Sequence, residues 1–132
     1  MVITFSLSTT RKTELLDITR KVEEAVAEAG LKDGVVLVYV PHTTAGITIN
    51  EGADPSVAED ILAHLDRLVP AKGPYRHMEG NSPAHIKAGL MGSSVLLAVE
   101  HGRLVLGRWQ AVFFCEFDGP RTRKVQVKTL SL

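Results

Sequence analysis

Apolar and polar residues alternate from the start of the chain. Ile3, Phe5 and Leu7 alternate with Thr4 and Ser6, a period of two that predicts a half-buried strand over Val2 to Leu7. From about Arg11 the period lengthens. Leu15, Ile18, Val22, Ala25, Val26 and Ala29 recur at helical spacing, with Glu14, Arg20, Lys21, Glu23, Glu24 and Glu28 filling the opposite face. That pattern predicts an amphipathic helix, closed by Gly30 at C′ and Leu31 at C″. Gly34 then opens Val35-Val36-Leu37-Val38-Tyr39-Val40. So continuous an apolar run predicts a central strand buried on both faces.

Past Pro41 the alternation returns, with Ala45, Ile47 and Ile49 facing the core. Thr44, Thr48 and Asn50 face the other way, with His42 on their side. This polar row reads equally as a pocket wall or as a wet face. Asp54-Pro55 has the grammar of a helix start, an N-cap followed by proline at N1. Val57, Ala58, Ile61, Leu62, Leu65 and Leu68 form the inward stripe, and His64 sits beside it at the boundary. Residues 70–81 have no period and are rich in helix breakers, which predicts a long, functional loop. Ser82-Pro83 repeats the cap grammar and predicts a short helix, with Ile86 and Leu90 pointing one way and His85 near its N-terminus. A strand over Ser93 to Val99 and a turn at Glu100-His101-Gly102-Arg103 follow. Leu104 to Asp118 reads as the longest extended stretch. Asp118-Gly119-Pro120 turns the chain into a last strand in which Val125, Val127 and Thr129 alternate with Lys124, Gln126 and Lys128.

Composition narrows the classes. At 132 residues and 45% hydrophobic, the chain predicts one domain, 1–132, with a sizeable core. Fifteen basic and fifteen acidic residues leave no net charge, which argues against a broad nucleic-acid face. The lone cysteine, Cys115, excludes an internal disulfide and a cysteine zinc knuckle. On an apolar strand face it reads as an inert core thiol. No secretory signal pattern and no membrane-length apolar run is present, so a cytoplasmic protein is expected.

The chemistry concentrates in His77-Met78-Glu79-Gly80-Asn81-Ser82-Pro83-Ala84-His85. His42, His77 and His85 could meet as an open site for a divalent metal, zinc or magnesium. The alternative is a set of unconnected polar histidines. Glu51, Glu79 and Glu116 are candidate fourth ligands or general bases. The Asp118 to Lys124 corner offers turn amides and cations to a phosphate or carboxylate, or else is a solvated charged hairpin. No phosphate-binding glycine loop and no nucleophile elbow is present.

Four stretches carry a resemblance. They are His42-Thr43-Thr44-Ala45-Gly46-Ile47-Thr48-Ile49-Asn50-Glu51, His77-x-Glu79-Gly80-Asn81-x-x-x-His85, Leu106-Gly107-x-Trp109-Gln110 and Glu116-x-Asp118-Gly119-Pro120-Arg121-x-Arg123. In this order they resemble the signature of the YjbQ family, small proteins commonly described as secondary thiamine-phosphate synthases. The resemblance implies an α+β fold, a mixed β-sandwich with helices packed outside. It also implies a homotrimer, and weak activity joining hydroxymethylpyrimidine diphosphate to thiazole phosphate. On that reading His42, Glu51, His77, Glu79, His85 and Glu116 do acid–base work. Thr44, Asn50, Asn81, Gln110, Arg121 and Arg123 bind a small phosphorylated substrate, and His42, His77 and His85 hold the metal. The competing expectations are a non-catalytic trimer binding metal or small anions, and a metal-assisted phosphoester hydrolase.

Overall fold

The structure is a computed structural model describing residues Met1–Leu132. Its elements follow in the order β1 (Val2–Ser8), β2 (Glu14–Asp17), α1 (Thr19–Glu28), β3 (Gly34–Tyr39), β4 (Ala45–Glu51) and α2 (Pro55–Leu68), then α3 (Ser82–Met91), β5 (Ser94–Glu100), β6 (Arg103–Leu104), β7 (Gln110–Glu116) and β8 (Thr122–Ser131). Five strands form a sheet in the order β1-β8-β3-β5-β6, and three form a second in the order β2-β7-β4. Every pairing within the sheets is antiparallel. The fold is α+β, with the two sheets face to face and helices outside.

Period-two burial builds the core. Val36 and Val38 of β3, Val99 of β5 and Val125 and Val127 of β8 point inward from the larger sheet, and Ile47, Val112 and Phe114 meet them from the smaller one. Val22, Ala25 and Val26 of α1 join this cluster. The smaller sheet is buried on its outer face too. There Cys115 of β7 and the following Phe117 pack with Ala84 and Ala88 of α3, against Leu62 and Leu65 of α2. The larger sheet has no such cover. Leu37 and Tyr39 stand 39% and 41% exposed on its outer face, so β3 is buried on one side only, not on both as its apolar run suggested.

The helix expected from Arg11 starts late. Residues Glu14–Asp17 form β2 against β7, with Leu15 opposite Cys115. Asp17 Oδ1 then accepts from the Thr19 amide and hydroxyl, turning the chain into α1. Pairing with an open edge of β7 outweighs local helix propensity here. At the other end of α1, Gly30 at φ +70° donates to Ala27 O and Leu31 donates to Val26 O, the paired bonds of a Schellman stop.

The expected start of α2 is present, with Asp54 Oδ1 accepting from Ser56 N at 3.0 Å. Its inward stripe ends early, since Leu68 is 62% exposed. In α3, Ser82 is already helical, Asn81 is the N-cap, and no side chain caps the helix. Ile86 and Leu90 face outward, while Ala84, Lys87 and Ala88 face inward. The reason lies in β4: a Cβ on Gly46 would stand 2.7 Å from Gly92 O and 3.2 Å from Met91 Cβ. So close an approach at the C-terminal end of α3 favours small residues such as Ala88 over β4, while Lys87 turns in to reach Asp66. The long extended stretch is also broken. Gly107 N donates to Gln110 Oε1 and Gln110 N to Gly107 O, closing a bend between β6 and β7.

Candidate functional site

A cleft of about 610 Å³ opens where the chain enters β4, leaves β7 and begins β8. Apart from Pro41 and Gly80, every residue that lines it has a polar or charged side chain. It brings together His42, Thr44, His77, Glu79, Asn81, His85, Arg121 and Arg123 of the residues singled out in the sequence, and adds Lys12 and Asp118.

Its floor is an ion pair. Glu116 is fully buried and Arg123 is 2% exposed. Arg123 Nε donates to Glu116 Oε1 at 2.9 Å, and Nη2 donates to Glu116 Oε2 and, at 2.8 Å, to Thr44 Oγ1. Thr9 Oγ1 donates to Glu116 Oε1 at 2.7 Å, and the Phe117 and Asp118 amides donate to Oε2. Burial alone would raise the Glu116 pKa, but the bonds from Arg123, Thr9 and the Asp118 amide outweigh it and hold the carboxyl below its ordinary value. A carboxylate so saturated is a poor proton acceptor. Glu116 therefore anchors the floor and is not a free base, and Arg123 reaches the cleft only from behind that pair.

Asp118 ties three segments together. Lys12 Nζ donates to Oδ1 at 2.7 Å, and Asn81 Nδ2 and Arg121 Nη2 each donate to Oδ2 at 3.0 Å. Burial pushes this carboxyl up, and the bonds from Lys12 and Asn81 more than reverse that. The corner beyond is tight, since a Cβ on Gly119 would lie 2.2 Å from Arg11 O. Lys12 did not stand out as a site residue in the sequence, and Asp118 did so only as the start of the charged corner and within the fourth family stretch. Lys12 lay inside what read as a helix, and only the long-range approach of the β1–β2 connection to the corner brings it here.

His42 Nε2 accepts the Lys124 amide at 2.9 Å. That bond assigns the proton of the neutral ring to Nδ1. Burial first, then the nearby Arg123 charge, lowers the His42 pKa from its ordinary 6.5. His77 and His85 meet edge to face with ring centroids 5.2 Å apart. His77 and Glu79 are exposed on the loop, and His85 is half-buried on α3.

The three histidines thus share a cleft but do not converge. No group of three or more His, Cys, Asp or Glu side chains is arranged to hold a metal ion. His42 has its Nε2 lone pair committed to Lys124, so the expected three-histidine centre does not fit the side chains as placed.

Asn50, Glu51 and Gln110 lie elsewhere. In the β4–β7 pairing Ala45 faces Glu116 at the cleft end, whereas Glu51 faces Gln110 at the other end. Six residues of strand separate the two ends, about 20 Å. There Asn50 Oδ1 accepts from Glu51 N, Glu51 Oε2 from Ala53 N, and Gln110 Oε1 from Gly107 N. Within one chain these three shape turns and do not reach the cleft. His64 is at the surface beside Arg67 Nη2. Cys115 is sealed in the core, its thiol pushed up to about 12 by burial.

Fold and site together define an α+β sandwich with a largely polar cleft at one end of the smaller sheet. The chain belongs to the YjbQ family: the family model described as "UPF0047 protein YjbQ-like" matches residues 3–131. It is 50% identical to the UPF0047 protein YugU of Bacillus subtilis, over 98% of this chain and 99% of that one. It is 48% identical to the UPF0047 protein MJ1081 of Methanocaldococcus jannaschii, over 98% and 94%. Among solved structures, a YjbQ/UPF0047 family protein of Clostridium acetobutylicum superposes with a TM-score of 0.95 at 56% identity, covering 97% of this chain and 99% of that one. A hypothetical protein of Aeropyrum pernix superposes with a TM-score of 0.94 at 40% identity, covering 100% and 99%.

Proposed function

We propose that the chain is an enzyme that binds a small phosphorylated substrate in the polar cleft. We further propose that its reaction is the one the family resemblance implies, the joining of hydroxymethylpyrimidine diphosphate to thiazole phosphate with loss of diphosphate. The observation that carries this reading is the lining itself: Lys12, Arg121 and the Arg123 edge, three imidazoles and, Pro41 apart, no apolar side chain. Lys12 and Arg121 are both held by the single carboxylate of Asp118. An arriving phosphate can share those two cations, and charge developing on a leaving diphosphate is stabilised by the same groups. The neutral His42 offers its Nδ1 proton as a donor. His77, His85 and Glu79 are the open titratable groups left for proton transfer.

A second reading, a non-catalytic anion binder, is favoured by one observation: Glu116 and Asp118 are both committed to the framework. Two measurements separate these. Calorimetric titration with inorganic pyrophosphate should show binding that weakens about tenfold in Arg121→Met, the worth of one charge-assisted contact. Incubation with both heterocyclic phosphates should yield thiamine phosphate. Binding without product would leave only the anion binder, phosphate release from simple phosphoesters would favour the hydrolase, and absence of pyrophosphate binding would sink the cleft assignment itself.

The implied homotrimer has a matching surface, the uncovered outer face of the larger sheet, where Leu37, Tyr39, Leu96 and Leu130 are exposed. Light scattering should return three times the 14.3 kDa chain mass, and a monomer mass would refute it. No helix is long and apolar enough to cross a membrane. A cytoplasmic setting, where a lone thiol stays reduced, completes the proposal.

A further inference from the structure

A second hollow, about 520 Å³, lies behind the first. Lys12, Gly80 and Asn81 line both, so they form the partition between them. The two differ in chemistry. The second hollow includes apolar walls, from Pro83 and Ala84 at the start of α3 and from Phe117 after β7. Its charges are already paired: Lys87, buried to 6% exposure, is bonded to Asp66, and Lys12 to Asp118. Away from the partition such a hollow offers an anion little, since Lys87 is held by Asp66, but its Pro83, Ala84 and Phe117 walls suit a flat, uncharged ring.

The partition carries an unmet demand. Asn81 Nδ2 donates to Asp118 Oδ2 at 3.0 Å. Turning the carboxamide over would set its oxygen against that carboxylate, acceptor to acceptor, so the orientation is determined. The oxygen is thereby directed away from Asp118, and it is the one buried side-chain N or O atom without a hydrogen-bond partner. Buried acceptors are nearly always satisfied, so an orphan beside a cavity calls for a donor. The residue before Asn81, Gly80, sits at φ +77° with nothing within 4 Å of a Cβ placed on it. The space beside Gly80, next to the orphaned oxygen's residue, is therefore open.

We infer that the two hollows are two ends of one site, and that the second takes a flat, uncharged nitrogen heterocycle whose exocyclic N–H donates to Asn81 Oδ1. The inference rests on the reading of the first cleft as the anion end. It deepens that reading by assigning the ring of a phosphorylated heterocycle to a place of its own. Phosphate oxygens lie against Lys12 and Arg121, and the ring passes the Gly80–Asn81 partition to lie against Phe117.

The test is a backbone-amide NMR titration of the full chain at mildly alkaline pH with three separate probes: inorganic pyrophosphate, 4-aminopyrimidine, and pyrimidine, which lacks the donor. 4-Aminopyrimidine should move the amides of Ala71, Ala84 and Phe117 and leave Thr43 and Lys124 in place. It should bind about tenfold more tightly than pyrimidine, the worth of one hydrogen bond to an otherwise unpaired buried acceptor. Asn81→Leu should erase that preference. Ala71→Trp, at an exposed position on the rim of the second hollow, should weaken 4-aminopyrimidine at least about tenfold by occupying its space, and leave pyrophosphate binding within about twofold. Equal affinity for the two rings, shifts confined to Thr43 and Lys124, or no shifts at all would each overturn the inference. Pyrophosphate reports separately: if it moves Thr43 and Lys124 while the aminopyrimidine fails, the anion reading stands and only the ring assignment falls. If pyrophosphate itself fails, the anion reading falls.

Discussion

Replacing Arg123 by methionine tests whether Glu116 is a structural anchor. Glu116 accepts five donors, two of them from Arg123, in a site where its own exposure is zero. Methionine fills much of the arginine stem's volume, so the change removes charge and hydrogen bonds more than packing. Breaking a buried pair by removing one partner costs about 3–5 kcal/mol, because the remaining charge is left desolvated. Thr9 and two backbone amides still hold the carboxylate, so about 4 kcal/mol is expected. With a urea m-value of about 2 kcal/mol/M, the midpoint should fall by about 2 M. Urea unfolding followed by far-ultraviolet circular dichroism, at one fixed protein concentration, reads this directly. The double variant Glu116→Gln, Arg123→Met removes both charges and should recover at least about 2 kcal/mol of the loss expected from adding the single changes. A loss below about 1 kcal/mol in Arg123→Met, or strict additivity in the cycle, would refute the anchor role and reopen Glu116 as a base.

Other outcomes follow from single features of the structure. Gly46→Ala pushes a Cβ to 2.7 Å from Gly92 O and should cost about 2 kcal/mol, or about 8 °C in Tm by calorimetry; an unchanged Tm would mean that α3 can lift off β4. His42 has a folded-state pKa below its ordinary 6.5. The unfolded chain therefore binds its proton first, and this contribution is complete above 6.5 and declines as pH falls through it. His42→Ala should flatten the stability-versus-pH slope there. Glu116 and Asp118, both lowered, act further down, below their ordinary 4.5 and 3.8. Cys115 should be silent to a thiol reagent in the native state and react once per chain in denaturant, since its thiol is buried and its pKa is pushed up to about 12. Exhaustive chelation should leave Tm unchanged, because the histidines do not converge on a metal; a large drop would show a ligand arrangement that forms only with the ion.

Local chemistry made much of the fold legible. The alternation of Ile3, Phe5 and Leu7, the Asp54-Pro55 cap, the Gly30-Leu31 stop and the turn at His101 and Gly102, both at positive φ, all stand as the residues imply. Each depends on contacts within a few residues, which sequence spacing specifies. The errors share an opposite cause. Leu15 and Leu16 join a strand because β7 offers an edge, and α3 turns Ile86 and Leu90 outward while Ala88 lies over Gly46 of β4.

The candidate site divides in the same way. The sequence by itself identified the residue types and the short stretches that carry them, from His42 through Asn81 and His85 to Arg123, because they are dense in groups with no simple structural use. Only the tertiary structure decided their roles. It buried Glu116 against Arg123, committed His42 Nε2 to a backbone amide, and sent Asn50, Glu51 and Gln110 to the far end of the smaller sheet. It also brought Lys12 and Asp118 together across 106 residues. Whether a carboxylate is a base or an anchor depends on how many donors surround it and how much water reaches it. Those are properties of long-range packing, on which local spacing is silent.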